Sequence, residues 1–358
     1  QGKLFVLVSW ITGFKNSLKG VGYFIGAACI ASNDEWGYDL ALGVNVLLVA
    51  LAIPWAAVGL SDELGTAKSK NVTLHEALFN SNHNLNWLSL ARLFLFASRD
   101  FWFEVPLPFY LRSPPCESIG LPCGDGATCP DGTECDAATA LCRNINDGGG
   151  CGGFALSRVV AGAVLAGYII LYGQMQAFTP QLVLNPLKQS PPNKYGAILW
   201  GYIACAPPMF LGVIVHAVPA LRAADDGAEM IAYLVLGITA FAIVFAINSS
   251  IHSYLVVRYA EGNKVAQSVG FYYMSNAAGR LLGTLVSGAL YTYVGYEHGQ
   301  SDVNKGMAAC FLAGTISMLL ATLITYRIND DQAGLACGGC CMCVDGEIEE
   351  PDAKPGDD

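Results

Sequence analysis

Charge is what this sequence has little of. Only 13% of its 358 residues are Asp, Glu, Lys or Arg, about half the share usual in a soluble domain. Hydrophobic residues make up 53%, and mean hydropathy is +0.43. This composition excludes a disordered chain and argues against an ordinary soluble enzyme. A basic surplus is also missing. The formal net charge is −10, and nucleic-acid binding needs a basic stripe. No GxxxxGK[ST] phosphate loop is present, so any transport is expected to be secondary rather than ATP-driven. No cofactor is expected. No basic n-region, short apolar core and small-residue cleavage site opens the chain. The first residue is Gln1 rather than Met, so the sequence is expected to start inside a longer protein.

What the chain does have is long apolar runs. A membrane-crossing helix needs about 20 mostly apolar residues. Eight stretches qualify: Leu4–Ala31, Asp39–Leu60, Trp87–Leu111, Phe154–Phe178, Gly196–Val218, Glu229–Ser249, Ala266–Val294 and Gly306–Tyr326. The class is therefore an all-α polytopic membrane protein, with the lipid bilayer as its surroundings. Two acidic appendages break the pattern. Pro114–Gly153 holds six acids and Arg143, and Asp345–Asp358 holds seven acids and one Lys. Alternate connections carry Lys68 and Lys70, Lys188 and Lys194, then Arg258 and Lys264, and Arg327 follows the last run. The positive-inside rule puts these and the C-terminus in the cytoplasm, and Pro114–Gly153 outside.

Cysteines support that placement. Cys116, Cys123, Cys129, Cys135, Cys142 and Cys151 all lie in the outer stretch. An even number in a polar extracytoplasmic loop reads as a disulfide framework, with 15 pairings open. The loop is either a ligand-binding cap or a tolerated insertion, and the second is favoured. The tail cluster Cys337, Cys340, Cys341 and Cys343 suits palmitoylation or no role. It is a weaker candidate for a soft metal, because no histidine joins it and its spacing fits no zinc site. No metal centre is expected.

Charges within the runs carry the functional signal, because ionisable groups in a membrane are costly and face a partner or a cavity. Lys15 and Lys19 share a helical face, either snorkelling or binding an anion. Arg92 and Arg99 share another face, and Asp100 and Glu104 a third. Glu104 and Asp100 are candidate proton carriers, or members of a structural ion pair. Pro106 and Pro108 are expected to kink the outer end of that helix. Tyr168, Tyr172 and Gln176 form a stripe, suited equally to interhelical hydrogen bonds and to lining a path. His252, near Asn248, is a proton carrier or a cap. Tyr272, Asn276 and Arg280 recur every four residues beside Gly279 and Gly283, a spacing that lets another helix pack closely. Five cations (Lys15, Lys19, Arg92, Arg99, Arg280) face two acids (Asp100, Glu104), which points to a small anionic substrate.

Three segments also carry a resemblance. Leu4–Gly26 contains SWITGFKNSLKGVGYFIG, Asn84–Leu111 reads NLNWLSLARLFLFASRDFWFEVPLPFYL, and Asn248–Gly288 contains VGFYYMSNAAGRLLGTLVSG. They resemble the organoarsenical efflux permeases (ArsJ-like) of the major facilitator superfamily, over most of residues 2–328. The resemblance implies a partial major facilitator fold of about eight spans. Residues 1–60 would be the last two spans of the N-terminal half, with the first four absent. Residues 61–86 would be the central cytoplasmic loop, and 87–326 the C-terminal six-helix bundle. Residues 113–153 would be an extracytoplasmic insertion, and 327–358 a cytoplasmic tail. It further implies export of 1-arseno-3-phosphoglycerate across the plasma membrane by a monomer, by proton antiport. A glyceraldehyde-3-phosphate dehydrogenase would supply the cargo. Arg99 and Arg280 would clamp it, with Lys15, Lys19, Arg92, Tyr272 and Asn276 lining the path and His252 joining the proton relay. Glu104 departs from the family pattern, which has a small or apolar residue there. A facilitator for another organic anion or sugar phosphate is the alternative, and a non-transporting receptor is a third.

Overall fold

The computed structural model describes residues 2–33, 35–59, 82–116, 120–123, 129–130, 133–136, 140–144, 151–217, 228–260, 265–297, 300–301 and 303–330. The tail cysteines Cys337, Cys340, Cys341 and Cys343 lie outside the described residues, as do Lys68, Lys70, Lys264 and most of the central loop.

Each of the eight apolar runs is largely helical. The helices are α1 (Gly2–Ser32), α2 (Gly37–Gly59), α3 (His83–Asp100), the short α4 (Pro106–Arg112), α5 (Arg158–Thr179), α6 (Lys194–Ala217), α7 (Ala228–Tyr259), α8 (Val265–Val294) and α9 (Val303–Thr325). Five of them are long and apolar enough to cross a membrane: α2, α5 with its extension to Leu184, α6, α7 and α9. These mark an all-α membrane protein. The charges in α1, α3 and α8 are what set those helices apart.

Two boundaries differ from expectation. The third run is not one helix over Trp87–Leu111. It breaks at Phe101–Val105, between α3 and α4. Pro106 has no N–H to give the Trp102 carbonyl, so the next residue, Leu107, donates to it at 2.9 Å, and the turn widens by one residue. The sixth run continues ten residues past Ser249 to Tyr259. Its Ser- and Asn-rich end reads as a boundary by hydropathy, but other helices bury it. Asn248, Ser249, Ser250 and His252 are each at most 1% exposed. His252 is therefore no cap; it sits seven residues inside the helix end.

Helix α3 is the axis, packed between α8, α9 and α7. An aromatic core surrounds its end. Trp102 meets Phe241 edge-on at 5.2 Å and Phe311 at 5.3 Å. Helix α1 lies along α5 through small residues. Gly13 abuts Gly173 and Ala177, and Gly20 abuts Ala166 and Ile170, where any Cβ would collide. Backbone approach of this kind replaces the hydrophobic drive that lipid removes. Helix α2 rests on α1 and buries Gly37 alone. Leu40, Ala41 and Val44 are half-buried, and most of its other apolar side chains, Trp55 and Val58 among them, stay exposed. That suits hydrocarbon surroundings rather than water.

The insertion is a small disulfide-bonded unit. A hairpin pairs β1 (Thr133–Asp136) with β2 (Leu141–Asn144). The bonds are Cys116–Cys151, Cys123–Cys135 and Cys129–Cys142. Pairing of this kind is set by the tertiary path, which sequence spacing leaves open. At the opposite end of the bundle, buried Asp330 accepts from Arg258 Nη2 at 2.9 Å, Tyr259 OH at 2.7 Å and the Lys194 backbone N–H at 3.1 Å. This clasp ties the segment after α9 to α6 and α7.

Candidate functional site

Two polar layers lie along α3, seven residues apart and so about 10 Å apart along its axis. The first layer is a charge network at the α3 break. Arg99 Nη2 is 2.6 Å from Asp100 Oδ1 and 3.4 Å from Glu104 Oε1. Arg280 reaches across from α8, with Nε 2.9 Å from Asp100 Oδ2 and Nη2 2.5 Å from Glu104 Oε1. Tyr23 of α1 donates to Glu104 Oε2 at 2.9 Å. The break after Asp100 is what lets Glu104 fold back toward Arg99. Small residues bring in Arg280: Gly279 lies against the Leu93 carbonyl, and Gly283 against Ala97 and Asp100. The close-packing role read from that spacing is what the helices show.

The second layer centres on Arg92, which is 2% exposed. Its guanidinium lies between two rings, Phe96 at 4.2 Å and Tyr272 at 4.6 Å. Nη1 donates to the Ser249 carbonyl at 3.1 Å. Ser253 donates to the same carbonyl at 2.8 Å, and its hydroxyl is 3.4 Å from that of Tyr272. On the far side, Gln176 Nε2 donates to Ser249 Oγ at 3.2 Å, and Tyr172 lies 3.3 Å from that oxygen. Asn16 of α1 donates to Gln176 Oε1 at 2.7 Å. Tyr172 and Gln176 thus make interhelical bonds. Tyr168 instead packs on Phe103, and its hydroxyl has no partner among the described residues.

A scan of protein-family models finds no match for the chain, and a comparison with curated proteins finds none either. The site therefore has to be read from its own geometry.

The expected site residues divide into three groups. Arg99, Asp100, Glu104 and Arg280 converge in the first layer. Arg92 and Tyr272 form the second, with His252 three residues, about one turn, beyond Ser249. Asn276 lies midway on α8, its Oδ1 buried without a partner. Lys15 and Lys19 lie on the exposed side of α1, with Lys19 near enough to the first layer to interact electrostatically with Arg280, Arg99 and Glu104. Lys15 Nζ is 5.3 Å over the Tyr273 ring. No carboxylate lies within 4.0 Å of Arg92, Lys15 or Lys19 among the described residues. Tyr23 and Asp330 were not anticipated. Tyr23 occurs every fourth residue from Lys15 and Lys19, a signal that the spacing did carry.

Chemically, the first layer holds two positive and two negative groups in contact. Its charge is balanced internally. The second layer holds a cation with no counter-charge among the described residues.

Proposed function

We propose that the chain is the greater part of an organoarsenical efflux permease of the major facilitator superfamily, exporting 1-arseno-3-phosphoglycerate across the plasma membrane. The observation that carries the reading is the charge surplus. After Arg99 and Arg280 are matched by Asp100 and Glu104, Lys15, Lys19 and Arg92 remain unmatched among the described residues of an apolar helical bundle. Arg92 is buried and needs a partner, Lys15 and Lys19 line the exposed side of α1, and a cargo bearing arsenate, phosphate and carboxylate groups supplies counter-charge to all three. The sequence resemblance supports the same cargo. In this reading α1 and α2 are the fifth and sixth spans. The α3–α4 pair is the seventh, and α5 to α9 are the eighth to twelfth. A carrier of another organic anion would use the same cations.

The network supports a particular coupling sense. Glu104 and an anionic cargo compete for Arg280, so a proton on Glu104 releases Arg280 to the cargo. Proton and anion then favour each other, whereas antiport needs them to exclude each other. The groups acting on Glu104 are Arg99, Arg280, Tyr23, Asp100 and Lys19. Binding of cargo to purified protein in weakly buffered solution distinguishes the two senses. Proton uptake supports joint loading, and proton release supports antiport.

The deciding experiment expresses the complete reading frame in arsenate-sensitive cells, with and without a glyceraldehyde-3-phosphate dehydrogenase. Resistance and arsenic export that depend on the dehydrogenase are expected. No resistance despite membrane expression would remove the arsenylated cargo.

A further inference from the structure

We propose that the buried guanidinium edge of Arg92, beside Tyr272, is the receiving site for a tetrahedral oxyanion, a phosphate or arsenate group. This rests on the reading of the chain as an anion carrier and adds an anion site at Arg92 to the one that Glu104 contests at Arg280. The first layer receives an anion only when a carboxylate yields its guanidinium, because Asp100 and Glu104 already occupy both. Arg92 is the opposite case. Nη1 is held by the Ser249 carbonyl, but Nε is buried with no partner, and Nη2 makes no hydrogen bond among the described residues. Nε and Nη2 form one edge of the guanidinium, the edge that grips two oxygens of an oxyanion side-on.

Three other buried polar atoms without partners belong to the same pair of helices. They are Ser89 Oγ, one turn before Arg92 on α3, and Asn248 Oδ1 and His252 Nδ1, flanking Ser249 on α7. Each residue is at most 1% exposed. Buried polar groups are nearly always satisfied, so four on these two packed helices without partners among the described residues mark a place where something binds. Water would satisfy hydrogen bonds there but would leave the charge of Arg92 unmatched. The flanking rings of Phe96 and Tyr272 attract the guanidinium without neutralising it.

A groove lies on the other side of Tyr272. It is about 190 Å³ in volume and runs between α1, α7 and α8, lined by Thr12, Ser253, Val256, Tyr272 and Tyr273 among others. Tyr272 therefore has one face on the groove and one on Arg92. Lys15, over Tyr273, stands near the groove. Rotation of the Tyr272 side chain would open one onto the other.

The test is equilibrium binding of radiolabelled inorganic phosphate and of 3-phosphoglycerate to the purified full chain in lipid nanodiscs. Arg92→Gln is expected to weaken both at least tenfold. His252→Ala and Ser89→Ala, which leave Arg92 in place, are expected to weaken them severalfold. Arg112→Gln, near the insertion, is expected to change neither. Melting temperature checks that each variant folds; if Arg92→Gln does not, the His252 and Ser89 variants decide. Absence of binding to the parent protein, or Arg92-independent binding, overturns the site. Arg92-dependent binding without dehydrogenase-dependent resistance keeps the site and removes the arsenylated cargo. Resistance with Arg92-independent binding removes the site alone.

Discussion

Asp100 is fully buried and touches two guanidiniums, Arg99 from its own helix and Arg280 from α8. Removing one member of a buried ion pair leaves the other charge stranded, at a cost of about 3–5 kcal/mol. Asp100→Asn is thus expected to lower thermal stability in detergent by that order, measured by the melting of the purified protein. Glu104 is different, being partly exposed and reached by Tyr23. Glu104→Gln keeps the shape and removes one negative charge. It is expected to bind anionic cargo more tightly and to abolish proton uptake on binding. Unchanged proton uptake in that variant would move the coupling proton to another group. Tyr23→Phe removes only a hydrogen bond, worth about 1.5–3 kcal/mol to a charged acceptor. Its effect should show in cargo affinity more than in stability, as a binding titration set beside a melting curve.

At the scale of elements, the α3–α8 contact positions both layers. The spacing of Gly279 and Gly283 was legible in the sequence, because small residues four apart have few other uses in an apolar helix. Gly279→Leu would push α8 off the Leu93 carbonyl and withdraw Arg280 from Asp100. Export should be lost while membrane insertion persists, seen by uptake assay and by membrane fractionation. Helix positions were legible too, since each apolar run dictates its own hydrogen bonding. The break after Asp100 was legible only in part. Pro106 forecast a disturbance, but the shift of the Trp102 carbonyl to Leu107 depends on how the turn packs. The extension of α7 to Tyr259 was hidden because serines and asparagine lower hydropathy whether they face water or other helices. Asp330 was hidden for another reason. Its partners Arg258, Tyr259 and Lys194 are 72, 71 and 136 positions away along the chain, and no local pattern links them.

For the whole molecule, the insertion and the Asp330 clasp lie at opposite ends, and this gives a test of orientation. The six insertion cysteines are all paired. An impermeant thiol reagent applied to intact cells is expected to label them only after reduction. Labelling before reduction would contradict the pairing. No labelling after reduction would put the insertion on the other side. The insertion also enters and leaves the bundle at one place. Cys116 and Cys151 have Cα atoms 4.6 Å apart, and the Gly152 N–H donates to the Pro114 carbonyl at 2.8 Å. The described residues between those feet, the hairpin among them, hang from a single clipped neck. The helices beneath do not register how long the hanging segment is, so it can be shortened, exchanged for an epitope or fused to a fluorophore. The neck makes this loop the natural handle for observing the protein at work.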